Sequence, residues 1–375
     1  MVCVAAFIIL CLVGVFVAVL SIFRRDIGAR YWQIFKKAWG CVWKKVRLQK
    51  CETNFKDDVK NTLLKKVVLK KPHLVQPLSV VIEVFSVLIV FTTIWSLTES
   101  AKAGLALWTF GTCNVSRPAS CSLGAEACAI DAEEPKNIIE SFGQWFSEWG
   151  EIFSAIPDRL KSWDAKSLAP QPYFTYGEID EQKPYALDIF DPGCIVCLQS
   201  YNNQLSDHFV DRYNVILLPY AISLPDNSGY KYPNSRIISN YLYATPLLLD
   251  YDKENTADYN TTPLSQEDKQ ILRKVSPSAK IINRLFTEFD EKHTIYQSSF
   301  QSLDQKTVEQ TLQSWLVEWG LSSSIVEAIA KVAHSRATED YANKVNEIVK
   351  NKLHSKSIPI TIYDNRKHTS RYESK

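Results

Sequence analysis

The chain has 375 residues and a net charge of +2, so it is longer than one typical domain. The near-neutral total hides two opposite parts: residues 24–71 carry 15 Lys and Arg against 4 Asp and Glu, whereas residues 98–375 carry 28 against 36. Composition therefore excludes a single small domain. The confinement of excess positive charge to one short segment favours contact with anionic lipid over a nucleic-acid-binding function.

Two apolar runs are long enough to cross a bilayer. The first, Val2–Phe23, has 22 uncharged residues, and the second, Leu78–Leu97, has 20 residues with one charge, Glu83. The first run is not typical of a cleaved signal peptide, because Arg24 and Arg25 follow its apolar core instead of preceding it. Both runs are therefore interpreted as retained membrane spans.

Short basic segments beside membrane spans stay on the cytoplasmic side. We therefore expect a two-pass protein of the cell membrane, with transmembrane helices at 1–23 and 78–97 and a basic cytoplasmic segment at 24–77. The N-terminus and the whole C-terminal part are then extracytoplasmic, or periplasmic. Within the basic segment, aromatic residues at helical spacing with lysines among them indicate an interfacial helix on membrane lipid. These aromatic residues are Trp32, Phe35, Trp39 and Trp43.

Residues 98–170 are expected to form an irregular cysteine-containing loop over 98–136, an amphipathic helix, and the start of a linker. The helix is predicted from apolar residues that recur every three to four positions up to Ile156, before Pro157 breaks the pattern. Its aromatic face suits either the membrane or the folded domain. The proline-rich stretch Ser167–Pro184 is typical of a linker.

Five cysteines fall on the extracytoplasmic side, where disulfides persist. Three of them, Cys113, Cys121 and Cys128, cluster in the loop, and the other two form the motif Cys194-Ile195-Val196-Cys197. Five is an odd number, so one loop cysteine is left over if the motif cysteines pair with each other. A structural disulfide within the loop is the simpler interpretation, and a second redox relay is the alternative.

A folded domain is predicted at 171–375. Tyr185–Phe190 has the pattern of a strand, Leu198–Val210 of a helix, and Tyr213–Ile222 of a buried strand. The following block, from residue 233 to about 350, is almost entirely helical in pattern, with a strand at Thr245–Tyr251 as an alternative. Residues 358–372 carry the signal of a terminal β-hairpin.

The CxxC motif lies between the first predicted strand and a helix, directly after Pro192-Gly193. In that position Cys194 lies at a helix N-terminus, which stabilises a thiolate, and Cys197 lies one turn on, where it can resolve a mixed disulfide. Zinc would require a second ligand pair of similar spacing, and the sequence has no further CxxC. The motif is therefore interpreted as a redox centre.

The order strand, CxxC, helix, strand, helical block, Ile-Pro and hairpin resembles the bacterial disulfide oxidoreductases of the DsbA-like type. The segments that carry the resemblance are Leu187–Phe190 before Cys194, Val308–Ser323, and Ser357–Lys367. It implies an α/β fold class: a thioredoxin-like domain with a large helical insertion at about 233–350, preceded by the two transmembrane helices.

The resemblance also implies roles for individual residues. Cys194 and Cys197 would exchange disulfides and form the Cys194–Cys197 disulfide, and the buried carboxylate of Asp188 would accept a proton during resolution. The backbone of Ile358 would pair with an extended substrate chain beside a cis-Pro359. Two alternatives stay open: Asp188 as an ordinary strand-end acid, and Pro359 as an ordinary trans proline.

Pro246 is a rival for the cis-proline, since a plain thioredoxin fold would place that residue near it. Pro359 is preferred. If Pro246 were the cis-proline, most of the predicted helical block would follow the thioredoxin fold as an addition at its C-terminal end instead of being an insertion.

The implied function is that of a membrane-anchored extracytoplasmic thiol–disulfide oxidoreductase acting on secreted or membrane proteins. It would need no cofactor and no metal. Its redox partner would be a quinone-linked reoxidant if it oxidises, or an electron donor in the membrane if it reduces. The apolar Ile195-Val196 dipeptide departs from the family pattern and leaves that direction open. The alternatives are a non-catalytic thioredoxin-like scaffold or assembly module of an envelope complex, and a zinc-binding protein.

Overall fold

The computed structural model describes most of the chain from residue 75 onward. The described residues are 75–118, 128, 130, 137–252, 258–369 and 371–373, with scattered positions before residue 75. The chain divides into two compact units, Met1–Ala101 and Lys102–Lys375. The predicted span Val2–Phe23, apart from Cys11, lies outside the described residues, as does most of the basic segment.

Helix α1, Val75–Phe110, is the one helix among the described residues that is long and apolar enough to cross a membrane. It contains the predicted span at 78–97. The prediction of an irregular loop from residue 98 is wrong in its first part, because α1 continues to Phe110. Burial of Ala106 and Phe110 in an apolar cluster favours this continuation. Gly111, with φ +76°, ends the helix, as glycine commonly does.

Helix α2, Ile138–Leu160, begins at Asn137, whose side chain accepts a hydrogen bond from the backbone N–H of Glu140 at 2.8 Å. Its buried residues, Ile152 and Ala155, belong to the same apolar cluster as Phe110. The predicted end at Pro157 is wrong, because the helix continues for one more turn. Three of its aromatic side chains are exposed: Phe142, Phe146 and Phe153.

A five-stranded mixed sheet forms the centre of the second unit. Its strands are β1 Phe174–Thr175, β2 Tyr185–Phe190, β3 Asn214–Pro219, β4 Ile360–Tyr363 and β5 Arg366–His368. Their spatial order is β1-β3-β2-β4-β5, and only β2 and β3 run parallel. Parallel neighbours need a crossover connection, and the two helices that supply it are α4 Ile195–Ser206 and α5 Phe209–Arg212; the short α3, Ala165–Leu168, precedes β1.

The strands predicted at 185–190 and 213–222 and the terminal hairpin are confirmed, whereas the stretch predicted as a linker, 167–184, contains strand β1. In β2, five of six residues are buried, and in β3 all six are, as expected for parallel strands covered on both faces. The hairpin joins β4 to β5 through Asp364 and Asn365, which have φ of +50° and +59°. Two positive φ angles in a two-residue loop are typical of a type I′ turn, which suits the twist of antiparallel strands.

A helical block separates β3 from β4. Its helices are α6 Ser235–Asp250, α7 Gln266–Val275, α8 Pro277–Thr287, α9 Tyr296–Phe300, α10 Gln305–Glu318, α11 Ser323–Ala333 and α12 Arg336–Glu347, followed by a π-helix at Ile348–Lys352. The alternative of a strand at 245–251 is wrong, because that stretch ends α6. Twelve of the 16 residues of α6 are buried. A helix covered on most sides has continuous apolar runs that resemble a buried strand.

Candidate functional site

The CxxC motif lies at the carboxyl end of β2, where the chain turns into α4. Cys194 is the N-cap residue of α4, and its backbone N–H donates to the carbonyl of Asp191 at 3.0 Å. Its own carbonyl accepts the first helical hydrogen bond, from Leu198 at 3.1 Å. The first cysteine therefore lies at the start of a helix, as the sequence predicts. At that place the unpaired amides and the helix dipole favour a thiolate.

Three sulfur atoms meet at this point. Cys194 is disulfide-bonded to Cys128, across a Cα–Cα distance of 5.8 Å, and Cys197 is a free, buried thiol. All three Sγ atoms lie within 4.8 Å of one another. This pairing differs from the expected Cys194–Cys197 disulfide. Cys113, another cysteine of the loop, is disulfide-bonded as well. Cys128 and Cys194 are 66 positions apart in sequence, and motif spacing carries no information about that separation.

Cys128 also pairs through its backbone with the segment before β4. The N–H of Ile358 donates to the carbonyl of Cys128 at 3.1 Å, and the N–H of Ile130 donates to the carbonyl of Lys356 at 2.9 Å. These two bonds have the pattern of an antiparallel strand pair. The Ile358–Pro359 peptide bond is cis, as the sequence predicts.

The rival proline lies elsewhere. Pro246 is inside α6, and the second cis bond of the described chain is Gln171–Pro172.

Asp191 is a site residue that the sequence analysis missed. It is fully buried between β2 and the motif, and its carboxylate accepts hydrogen bonds from the N–H of Gly193 at 2.8 Å, the N–H of Ile222 at 2.7 Å and the hydroxyl of Ser235. Burial raises the pKa of Asp191 to about 6, against the lowering effect of these bonds. In the sequence, the Pro192-Gly193 pair after Asp191 indicates only a turn. The signal that could have identified Asp191 is its position three residues before Cys194.

Asp188 lies on β2 and is also buried. One carboxylate oxygen accepts from the amide of Gln204 and the other from the hydroxyl of Thr361, each at 3.2 Å. Burial raises the pKa of Asp188 to about 6, and the two hydrogen bonds lower it. The carboxyl group is thus both hydrogen-bonded, as an ordinary core acid would be, and easier to protonate than a surface acid.

The thiol of Cys197 is held neutral. Burial raises the pKa of Cys197 well above its ordinary value, and the negative charges of Asp191 and Asp188 raise it further. The backbone N–H of Asp191 donates to Cys197 Sγ at 3.4 Å and acts in the opposite direction. Because the thiolate is the nucleophile in exchange, Cys197 requires a proton acceptor. Asp191 and Asp188 are the carboxylates whose negative charges raise the pKa of Cys197, and they are the candidate acceptors.

Gly193 fits the site because it lacks a side chain. A Cβ at this position would lie 2.4 Å from the Cβ of Tyr232 and 2.6 Å from Oγ of Ser235. The backbone N–H of Gly193 bonds to Ser235 Oγ at 3.0 Å, and its carbonyl accepts from the side-chain amide of Gln297. Residues from α6 and α9 thus hold the turn before Cys194 in place.

The arrangement can carry out thiol–disulfide exchange or bind a metal ion. Exchange needs a thiol next to a disulfide, and both are present. The three sulfurs are also a candidate set of metal ligands, although a structural zinc site takes four ligands. Two of the three sulfurs are joined to each other here, so zinc binding would require reduction of that bond. No family model, curated protein or solved structure matches this chain.

Proposed function

We propose that residues 171–375 form a DsbA-like thiol–disulfide oxidoreductase with a thioredoxin-like fold. The enzyme would be anchored in the cell membrane and act on disulfides of secreted or membrane proteins on the extracytoplasmic side. The observation that carries the proposal is the free thiol of Cys197 beside the disulfide of Cys194, with the three sulfurs within 4.8 Å at the start of α4.

The chemistry runs through the motif cysteines. In the oxidising direction, a substrate thiolate attacks Cys194 Sγ of a Cys194–Cys197 disulfide, and Cys197 leaves as a thiolate that takes up a proton. A second substrate thiol then attacks the mixed disulfide, which releases the oxidised substrate and a Cys194 thiolate. The reducing direction is the reverse, in which Cys197 gives its proton to Asp191 or Asp188 and attacks the mixed disulfide.

Two features of the site bear on the equilibrium, one at each cysteine. The helix N-terminus stabilises a Cys194 thiolate, which favours the reduced pair. Two buried carboxylates oppose a thiolate at Cys197, and the Ile195-Val196 dipeptide adds no positive charge. The reduction potential of the full chain measures the balance. A value of about −120 mV supports an oxidase with a quinone-linked reoxidant, and one of about −270 mV supports a reductase with a membrane electron donor.

Exchange with an external peptide tests the function. The full chain in detergent is mixed with a fluorescent two-cysteine peptide, supplied reduced in one series and oxidised in the other. We expect Cys194→Ser to abolish catalysed exchange, and Cys197→Ser to accumulate peptide linked to Cys194. Cys11→Ser is the control, because Cys11 is a free cysteine outside the site. Equal rates for wild type and Cys194→Ser would overturn the proposal and favour a non-catalytic scaffold.

Metal analysis tests the other candidate chemistry, which the grouping of three sulfurs favours. The full chain is isolated under mild reducing conditions, and its zinc content is measured beside that of Cys128→Ser. An oxidoreductase is expected to carry much less than one zinc per chain in either form. One tightly held zinc per chain that is lost in Cys128→Ser would instead identify a metal site.

A further inference from the structure

We propose that the segment around Cys128 is a resident substrate of the Cys194/Cys197 pair. It occupies the position that an external protein substrate would take, and it has to leave before that substrate can react. This inference, which rests on the proposed oxidoreductase activity, names an in-chain partner and a form of regulation for the same site.

The backbone geometry supports a bound strand more than a simple cross-link. A disulfide fixes two side chains and requires no pairing of main chains. Here the N–H of Ile358 and the carbonyl of Lys356 both bond to the Cys128 segment, two residues apart on each side. Such main-chain pairing is how an extended peptide adds to an exposed edge, and it is independent of most of the peptide's side chains.

The side chains of the two paired residues, Cys128 and Ile130, also contact the rest of the protein. Cys128 is completely buried, and the hydroxyl of Tyr232 donates to its sulfur at 3.9 Å. Ile130 is half-buried against the core and lines a cavity of about 380 Å³ together with Phe110 and His354. One covalent bond, two main-chain bonds and one apolar anchor therefore act on Cys128 and Ile130.

The bond to Cys128 can be exchanged without any external oxidant or reductant. Cys197 loses its proton to a neighbouring carboxylate and attacks Cys194 Sγ. The bond between Cys194 and Cys128 breaks, the Cys194–Cys197 disulfide forms, and Cys128 leaves as a thiolate that takes up a proton. One thiol and one disulfide exist before and after the step, so atoms and electrons balance. The product is the oxidised motif that an external thiol would attack.

Tethering keeps the resident cysteine in competition with any external one. Cys128 belongs to the same chain as Cys194, 66 positions before it, so its return to Cys194 is an intramolecular reaction. Intramolecular reactions of this kind reach effective concentrations of up to about the millimolar range. An external peptide at 10–100 µM should therefore exchange roughly tenfold or more slowly with wild type than with a chain that lacks the resident cysteine.

Disulfide mapping is the first test. The full chain is quenched with acid, its free thiols are blocked, and its cross-linked peptides are identified by mass spectrometry. We expect a Cys128–Cys194 link in wild type, its enrichment in Cys197→Ser, and a Cys194–Cys197 link in Cys128→Ser. A Cys128 that is unlinked to Cys194 in both wild type and Cys197→Ser would overturn the inference.

A second pair of variants separates binding from sulfur chemistry. Ile130→Asp removes the apolar anchor and leaves every cysteine in place, and Ile138→Asp makes the same change at a position that is 80% exposed. We expect Ile130→Asp to shift the population from the Cys128–Cys194 link towards Cys194–Cys197, and to accelerate exchange with the two-cysteine peptide. We expect Ile138→Asp to behave as wild type. Identical populations in the two variants would contradict a bound segment.

The two proposals fail in different ways. If the peptide reacts at Cys194 but wild type and Cys128→Ser react at equal rates, the oxidoreductase stands and the resident substrate does not. If the Cys128–Cys194 link forms but no variant exchanges with the peptide, the oxidoreductase fails, and the link is then a structural disulfide. A Cys128→Ser chain that exchanges at least about tenfold faster supports both proposals.

Discussion

At the scale of single residues, Gly193 is a position where the site leaves no room for a side chain. We expect Gly193→Ala to destabilise the fold by about 1–3 kcal/mol, because its Cβ would lie within 2.6 Å of both Tyr232 and Ser235. The measurement is thermal unfolding of the purified full chain. Gly177→Ala is the matched control, since a Cβ there meets nothing within 4 Å. A Gly193→Ala chain that is as stable as the control would contradict this packing.

The buried carboxylates make stability depend on pH. The pKa of Asp188 is raised to about 6 in the folded chain, so the folded state binds more protons than the unfolded state between about pH 4 and 6. Its contribution is therefore full below that window and is lost as pH rises through it, by on the order of 3 kcal/mol.

Asp188→Asn tests this pH dependence. An amide can still accept from Gln204 and donate to the Thr361 hydroxyl, and it does not titrate. We expect the variant to lose less stability than wild type between pH 4.5 and pH 7.5. Thermal unfolding at both pH values provides the comparison, and equal losses in the two chains would refute the assignment.

At the scale of elements, α4 places its two cysteines in different electrostatic surroundings. Cys194 caps the helix, where the dipole favours a thiolate, whereas burial raises the pKa of Cys197 well above its ordinary value. In the reduced chain we expect iodoacetamide to modify Cys194 at a lower pH than Cys197. Mass spectrometry gives the occupancy of each site. The denatured chain is the control, in which both thiols should react with one pH profile; earlier labelling of Cys197 in the folded chain would contradict the arrangement.

The elements that could be predicted are those whose pattern is local. Strand β2, the start of α4 and the β4–β5 hairpin follow from alternation, a Pro-Gly break and an Asp-Asn turn, which act over a few residues. The end of α6 could not be predicted, because burial on most sides removes the periodicity that distinguishes a helix from a strand. The extension of α1 beyond residue 97 depends on a distant apolar contact with α2.

The candidate site, too, could be predicted only where a local motif or the family resemblance pointed to a residue. The motif cysteines, Ile358 and Pro359 were named from the sequence, since a motif and a resemblance carry them. Asp191 was not, because its role depends on Ser235 and Ile222 folding over it from other parts of the chain. Cys128 was seen only as a member of a loop cluster. Its partner depends on which edge its backbone joins, and that is a property of the tertiary structure.

At the scale of the whole molecule, the link from Cys128 to Cys194 ties the chain before α2 to the domain. A cross-link over a separation of 66 residues should stabilise the folded chain by about 4 kcal/mol, whereas the short loop of a Cys194–Cys197 disulfide contributes much less. We expect Cys128→Ser to unfold roughly 5–10 °C lower than wild type. Tryptophan fluorescence on heating measures this, with Cys11→Ser as the control; an unchanged midpoint would argue against the link.

The antiparallel pairing of Ile358 with Cys128 has a practical consequence for anyone who searches for substrates. An external peptide can bind only those molecules from which the Cys128 segment has left, which we call the vacant form. Its apparent affinity equals its intrinsic affinity multiplied by the fraction of molecules in that form. If that fraction is about 1%, a peptide with an intrinsic Kd of about 1 µM would titrate as though its Kd were about 100 µM. Pull-downs and titrations with the wild-type chain would then miss genuine clients, and Cys128→Ser is the bait with which to find them.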